Sequence, residues 1–159
     1  NAYPPASQLL FVILMFVGGC AGSTTGGVKI YRLIVMVKAC NRELIRAFRP
    51  QSVQAVRVGR AVVPEETVRA IFACFALFLT VFIVMSLCIA AMGIDIVTAT
   101  TSVAATLGNI GPGLARVGAV ENFAFLPAAG KWLLNACMIL GRLEVVTVAA
   151  LLSPTFWRR

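Results

Sequence analysis

Gly108-Asn109-Ile110-Gly111-Pro112-Gly113 carries the chemistry that a monovalent cation would need. Glycines open backbone conformations closed to other residues, so successive carbonyl oxygens can be turned to one side. A ring of such oxygens can stand in for a cation's hydration shell. The stretch is too polar and glycine-rich to cross a bilayer, yet a long apolar run ends before it near Gly93 and another begins after it near Pro127. Residues 95–118 therefore read as a re-entrant hairpin, a short helix that dips into the membrane and returns as extended backbone. Non-helical backbone at that depth persists only where it is buried in protein or lines a water-filled path. The hairpin points to part of a pore; an ordinary turn outside the membrane is the alternative.

A second candidate is Gly18-Gly-Cys-Ala-Gly-Ser-Thr-Thr-Gly-Gly27. It interrupts two apolar halves, Leu9–Val17 and Val28–Val37, the latter carrying Lys29 and Arg32. Each half is about ten residues, roughly 15 Å as helix, so neither spans a core of about 30 Å alone. Together they could cross as a broken helix, with the Ser23, Thr24 and Thr25 hydroxyls bonding freed backbone groups. Broken membrane helices sit where ions or substrates pass. The same stretch through Lys29 resembles a phosphate-binding loop, but Val28 stands where the lysine belongs and no Ser or Thr follows Lys29. Such a loop also needs a preceding strand in an α/β sheet, which the rest of the chain cannot supply.

The third candidate is Arg142, in the apolar run from Pro127 to Leu152 and about 15 Å of helix beyond Trp132. A charge near mid-membrane costs at least about 2.5–3.5 kcal/mol unless paired or wet. Glu144 falls on nearly the opposite helix face, so the two do not pair directly, whereas Asn135 shares the arginine's stripe. A cation controlling a permeation path fits better than a buried structural pair.

The totals agree with a membrane setting. The chain has 159 residues, 60% of them hydrophobic, and a mean hydropathy of +0.92, whereas a soluble domain is nearer half apolar. Its net charge is +8, but nine of the fourteen Lys and Arg lie between Lys29 and Arg69, the asymmetry of a cytoplasmic loop. Nucleic-acid binding would need a basic face with a known motif, and none is present. Without histidine, zinc sites built on His and Ser-His-Asp triads are excluded. The five cysteines, Cys20, Cys40, Cys74, Cys88 and Cys137, are scattered and read as small buried hydrophobes. Asn1-Ala-Tyr-Pro-Pro reads as the middle of a longer chain.

The elements that would position these residues follow in order. Asn41–Phe48 is expected as a short helix on the membrane surface, ended by Pro50. Ala55–Val63 alternates weakly around Gly59, as in a small hairpin. The basic segment 38–63 is either a solvated loop or a docking surface for a cytoplasmic partner. Pro64-Glu65-Glu66 is a good helix start, and the charge-free run Ile71–Met92 that follows is a transmembrane span. Gly93 ends it, Asp95 caps the next helix, and Ile96–Leu107 forms that short helix, its negative dipole end aimed at the glycine-rich turn. Lys131 can snorkel outward. Trp132 and Trp157 suit the two interfaces, and Arg158 and Arg159 suit the cytoplasm.

The motifs Gly18–Lys29, Asn109-Ile-Gly-Pro-Gly113, Lys131-Trp132, Gly141-Arg-Leu-Glu144 and Pro154-Thr-Phe-Trp157, met in this order, resemble the Trk/Ktr potassium-uptake family, in the C-terminal third of its Trk membrane subunit. The resemblance covers essentially the whole chain. In that family four helix–pore-helix–helix units of one polypeptide surround a single pore, which would put three earlier hairpins ahead of Asn1. It implies that Asn109, Ile110, Gly111 and Pro112 take the place of the Thr-Val-Gly-Tyr potassium-channel filter in the fourth repeat, with K⁺ at Asn109, Ile110 and Gly111. Asn for Thr and Pro for Tyr depart from that signature and leave the preference for K⁺ over Na⁺ open. Gly18, Gly19, Cys20, Ala21, Gly22, Ser23, Thr24, Thr25, Gly26 and Gly27 match the intramembrane loop that gates the pore in the third repeat. Arg142 matches the arginine that holds this loop and opposes ion passage. The resemblance further implies a homodimer of the membrane subunit, a cytoplasmic ring of nucleotide-binding regulatory subunits, and a multi-pass place in the bacterial inner membrane with the C-terminus inside.

The expectation is thus an all-α membrane protein: a broken inner helix over 1–39, a basic cytoplasmic loop over 40–63, and a helix–pore-helix–helix unit over 64–159. Its expected work is K⁺ uptake, channel-like or by symport, without covalent chemistry or a covalently bound cofactor. A stand-alone tetrameric cation channel and a non-transporting membrane scaffold are the rivals.

Overall fold

A computed structural model of the chain describes residues 4–19, 27–49, 55–59 and 61–143. The described part is mostly helical. It comprises α1 (Pro5–Phe16), α2 (Ile30–Phe48), a two-stranded hairpin β1–β2 (Arg57–Val58, Ala61–Val62), α3 (Glu65–Ala90), α4 (Ile96–Leu107) and α5 (Ala128–Arg142).

The longest helix, α3, has 26 residues, enough apolar length to cross a membrane; at 1.5 Å per residue it reaches about 39 Å against a core of about 30 Å. Pro64 precedes it and Glu65 and Glu66 occupy its first turn. The chain then reverses through Gly93, at φ +82°, and Asp95 caps α4 by accepting the Thr98 N–H at 3.0 Å. This start is the one the sequence calls for.

α4 is buried along nearly its whole length by its own chain, despite four hydroxyl-bearing residues among its buried positions. Local bonds make this possible: Thr101 donates to the Val97 carbonyl at 2.7 Å, Ser102 to Ala99 at 2.8 Å and Thr106 to Ser102 at 2.8 Å. A hydroxyl satisfied by its own helix carries little of the usual cost of burial. Around α4 lies the main core, with Val28, Phe78, Ile89, Ala99, Val103, Leu107, Leu126, Leu134 and Cys137. Phe16 of α1 meets Phe82 and Phe78 edge-on, with centroids 5.1 and 6.2 Å apart.

A second, smaller core joins α2, the hairpin and the start of α3 through Val35, Ala39, Val56, Val63, Val68 and Ile71. The hairpin pairs Arg57 with Val62 and Val58 with Ala61 around Gly59, as its alternation implies. Lys38 Nζ donates to the Arg57 carbonyl at 2.7 Å, and Arg42 forms a forked contact with Glu65 while also touching Glu43 at 2.9 Å.

Two elements differ from expectation. Asn41–Phe48 is not a separate surface helix but the last part of α2, continuous from Ile30. Nothing between Val37 and Asn41 breaks a helix, and the buried Val35 and Ala39 give the run an apolar face. The helix stops only at Arg49, where Pro50 follows. The helix expected from Pro127 to Leu152 is described as far as Arg142 and bends at Leu143. Glu144, Pro154, Trp157, Arg158 and Arg159 lie outside the described residues, as do Cys20 to Gly26 of the glycine-rich interruption.

Candidate functional site

The turn that follows α4 is fixed from beneath. The Gly108, Asn109 and Ile110 amides return to the Ala104, Thr106 and Ala105 carbonyls at 2.9, 3.1 and 2.9 Å, which satisfies the helix end and starts the chain outward. Asn109 then adopts φ +53° and Gly111 φ +106°. A glycine suits the second value because a side chain there is strained. Asn109, Ile110, Gly111 and Pro112 are exposed at the surface of the chain, whereas Gly108 and Gly113 on either side are buried. Among the described residues, no hydrogen bond is accepted by the carbonyl oxygens of residues 108–112. Backbone acceptors that the chain itself leaves unpaired are open to another polar partner.

The outgoing limb is pinned by buried hydroxyls of α4. Thr101 Oγ1 accepts the Leu114 N–H at 3.2 Å, Gly113 N–H donates to the Val117 carbonyl at 2.7 Å, and Thr98 Oγ1 accepts the Arg116 N–H at 3.5 Å. The Arg116 guanidinium lies 4.1 Å from the centroid of Phe125, a cation–π contact. Arg116 also draws the Asp95 carboxyl below its ordinary pKa, though the larger cause is the hydrogen bonding from Thr98.

The ends of the interrupted stretch come together as a neck. Val17 and Val28 form a parallel bridge, closed by Gly18 N–H to Val28 O at 2.8 Å, Val28 N–H to Phe16 O at 3.2 Å and Ile30 N–H to Gly19 O at 3.2 Å. Gly27 takes φ +81° beside Gly18. The neck lies near the turn: a cleft of about 440 Å³ is bounded by Leu14, Met15 and Val17 on one side and by Ile110, Pro112 and Leu114 on the other. The structure thus brings the turn residues Ile110 and Pro112 to one cleft with Val17 at the edge of the neck. Gly18, Gly19 and Gly27 form the neck itself, and Cys20, Ala21, Gly22, Ser23, Thr24, Thr25 and Gly26 lie outside the described residues.

Arg142 is the last residue of α5. Asn135 is exposed on the same helix, and Lys131 Nζ reaches the Ala124 carbonyl at 3.0 Å. Sequence reasoning gave no separate role to two residues that meet the turn. Thr101 is one, because a threonine in a helix says nothing of a partner thirteen residues on. Gly141 is the other; an isolated glycine inside an apolar helical run was the available signal.

The described residues thus offer one helix long and apolar enough to cross a membrane, a short helix buried along most of its length and an exposed turn whose carbonyls accept no hydrogen bond among them. Comparison with known proteins gives the family. Residues 1–159 match the family model described as "TrkH: Cation transport protein". The chain is 44% identical over 156 residues to the Trk system potassium uptake protein TrkH of Salmonella typhimurium, covering 98% of this chain and 32% of that one. It is 34% identical over 155 residues to the Trk system potassium uptake protein TrkG of Escherichia coli K12, covering 97% of this chain and 32% of that one. The crystal structure of the potassium transporter TrkH from Vibrio parahaemolyticus superposes with a TM-score of 0.88 at 39% identity, covering 98% of this chain and 33% of that chain. The chain belongs to the TrkH family, a family of membrane transport proteins and not of enzymes, and spans about a third of the length of these relatives.

Proposed function

We propose that this chain supplies one quarter of a potassium-uptake pore, with Asn109, Ile110, Gly111 and Pro112 as its filter segment. α3, α4 and α5 act as outer helix, pore helix and inner helix of a re-entrant unit over 64–159, and K⁺ is held by the carbonyl oxygens of Asn109, Ile110 and Gly111. One observation carries the reading: a helix buried along nearly its whole length by its own chain ends in an exposed turn whose carbonyls accept no hydrogen bond among the described residues. The relatives' names as potassium uptake proteins support the choice of ion.

In the same reading α1 and the first part of α2 are the halves of one broken inner helix over 1–39, and Gly18–Gly27 is the gating loop below the filter. Arg142 restrains that loop and opposes cation passage. The basic segment 40–63, including the end of α2 and the hairpin, faces the cytoplasm and meets a ring of nucleotide-binding regulatory subunits. The whole membrane subunit works as a homodimer in the bacterial inner membrane with its C-terminus inside.

The test is ion selectivity of uptake in the full-length protein. Gly111→Ser places a side chain at φ +106°, and strain of about 1–3 kcal/mol is expected to lower the K⁺/Na⁺ ratio about tenfold. An unchanged ratio would leave the scaffold reading instead. Arg142→Ala, and separately deletion of Gly22–Gly26, are expected to raise basal flux; unaltered flux in both removes the gate.

A further inference from the structure

Gly141 stands where α5 crosses the end of α4. A Cβ built on it would run into the Leu107 carbonyl oxygen, and would lie 2.9 Å from the carbonyl carbon and 2.8 Å from Asn109 Nδ2. Only hydrogen fits there, because the obstruction is backbone and cannot swing aside. One turn earlier on α5, the Met138 carbonyl accepts a hydrogen bond from Asn109 Nδ2 at 3.3 Å. The last carbonyl of α4 and the first side chain of the turn therefore both rest on the α5 backbone between residues 138 and 141.

The same glycine also borders the neck. It lines a cavity of about 30 Å³ whose other walls include Gly27, Val28, Lys29, Arg32 and Cys74, room for about one or two waters. Among the described residues, this end of α5 is thus blocked on the side of the turn and borders that small cavity on the side of the neck. Arg142 is the next residue along the same helix.

We infer that Gly141 and Asn109 are positioning residues that set the register of the turn against α5 and so tie the arginine-bearing end of that helix to ion discrimination. The inference rests on the filter reading above and adds to it how the filter is held. Neither side chain need touch the ion. Asn109 acts through its amide on α5, and Gly141 acts by letting the Leu107 carbonyl lie against the helix.

The experiment measures the K⁺/Na⁺ uptake ratio of the full-length protein, because loss of folded protein lowers the rate for both ions and leaves their ratio unmoved. Gly141→Ala is expected to lower the ratio about tenfold, in the range set by overpacking against an unyielding neighbour. Asn109→Gly keeps the backbone carbonyl and tolerates φ +53°; removing only the amide is expected to lower the ratio about fivefold, the factor for one hydrogen bond. It carries the test if Gly141→Ala does not accumulate. Gly130→Ala, on the same helix, is the control: its Cβ would meet only side-chain ends, Leu126 Cδ2 at 3.1 Å and Met92 Sδ at 3.4 Å, so the ratio should hold. If Asn109→Gly and any folded Gly141→Ala keep the wild-type ratio while Gly111→Ser lowers it, the inference is overturned and the filter reading stands. If all three keep it, both fall.

Discussion

The chain leaves the helical path in two neighbouring places, and they are held by different means. The turn after α4 is anchored by groups that are themselves buried: the Thr101 and Thr98 hydroxyls and the Ala105 carbonyl beneath it, and the Val117 carbonyl across it. Among the described residues, the neck before α2 is joined by three backbone hydrogen bonds between its two extended limbs. Such bonds contribute only about 0.5–1.5 kcal/mol each. A side-chain-anchored turn keeps its geometry while its surroundings shift; a neck joined by three backbone bonds can open and close at modest cost. That difference suits a filter and a gate respectively.

The largest expected effect strikes the anchored turn. Thr101→Val keeps the shape of a buried side chain but removes the acceptor of the Leu114 N–H. An orphaned donor costs about 1–3 kcal/mol. The full-length protein should lose about that much stability and show a lower K⁺/Na⁺ ratio, with basal flux little changed. Thermal unfolding and paired ion-uptake assays check this, and a variant with both stability and ratio intact would mean that the turn does not depend on α4. The neck should answer in the opposite way. Gly27 at φ +81° has only ordinary contacts around an added Cβ, the nearest at 3.5 Å, so Gly27→Ala is penalised for conformation and not for space. At about 1–2 kcal/mol for the left-handed backbone, basal flux should rise about tenfold while the ion ratio holds. A fallen ratio with unchanged basal flux would erase the distinction between the two regions.

Legibility in the sequence followed the range of the forces involved. α4 was readable from Gly93, Asp95 and the pattern after them because capping and chain reversal are decided within a few residues. The hairpin around Gly59 was readable for the same reason. The continuity of α2 was obscured by its charges: Lys38, Arg42 and Arg46 set Asn41–Phe48 apart as a separate surface helix, yet they ride on one helix whose Val35 and Ala39 pack into the second core. The membership of the turn residues was legible, but what holds them was not. Thr101 reaching Leu114, and Gly141 meeting Leu107, are contacts made by packing two or three helices, and residue type alone does not announce them.

The smallest effect reaches the turn from its far end, through the cap of α4. The Asp95 carboxylate accepts the Thr98 N–H at 3.0 Å, and hydrogen bonding from Thr98 followed by the nearby Arg116 charge holds its pKa below the ordinary value. A carboxyl with a depressed folded-state pKa contributes stability that is fully present above its unfolded value of about 3.9. That contribution is lost as pH falls through the lower, folded value. Thermal stability of the wild-type protein should therefore include a component that fades on acidification below about pH 4. Asp95→Asn keeps a good N-cap but cannot titrate, so the variant should lack that component while retaining the K⁺/Na⁺ ratio at neutral pH. If the ratio fell in the variant as well, the turn would be governed by the whole of α4 down to its first residue. The anchors at Thr98 and Thr101 would then be one part of a longer support, and the contrast with the neck would lie in helix length more than in side-chain bonding.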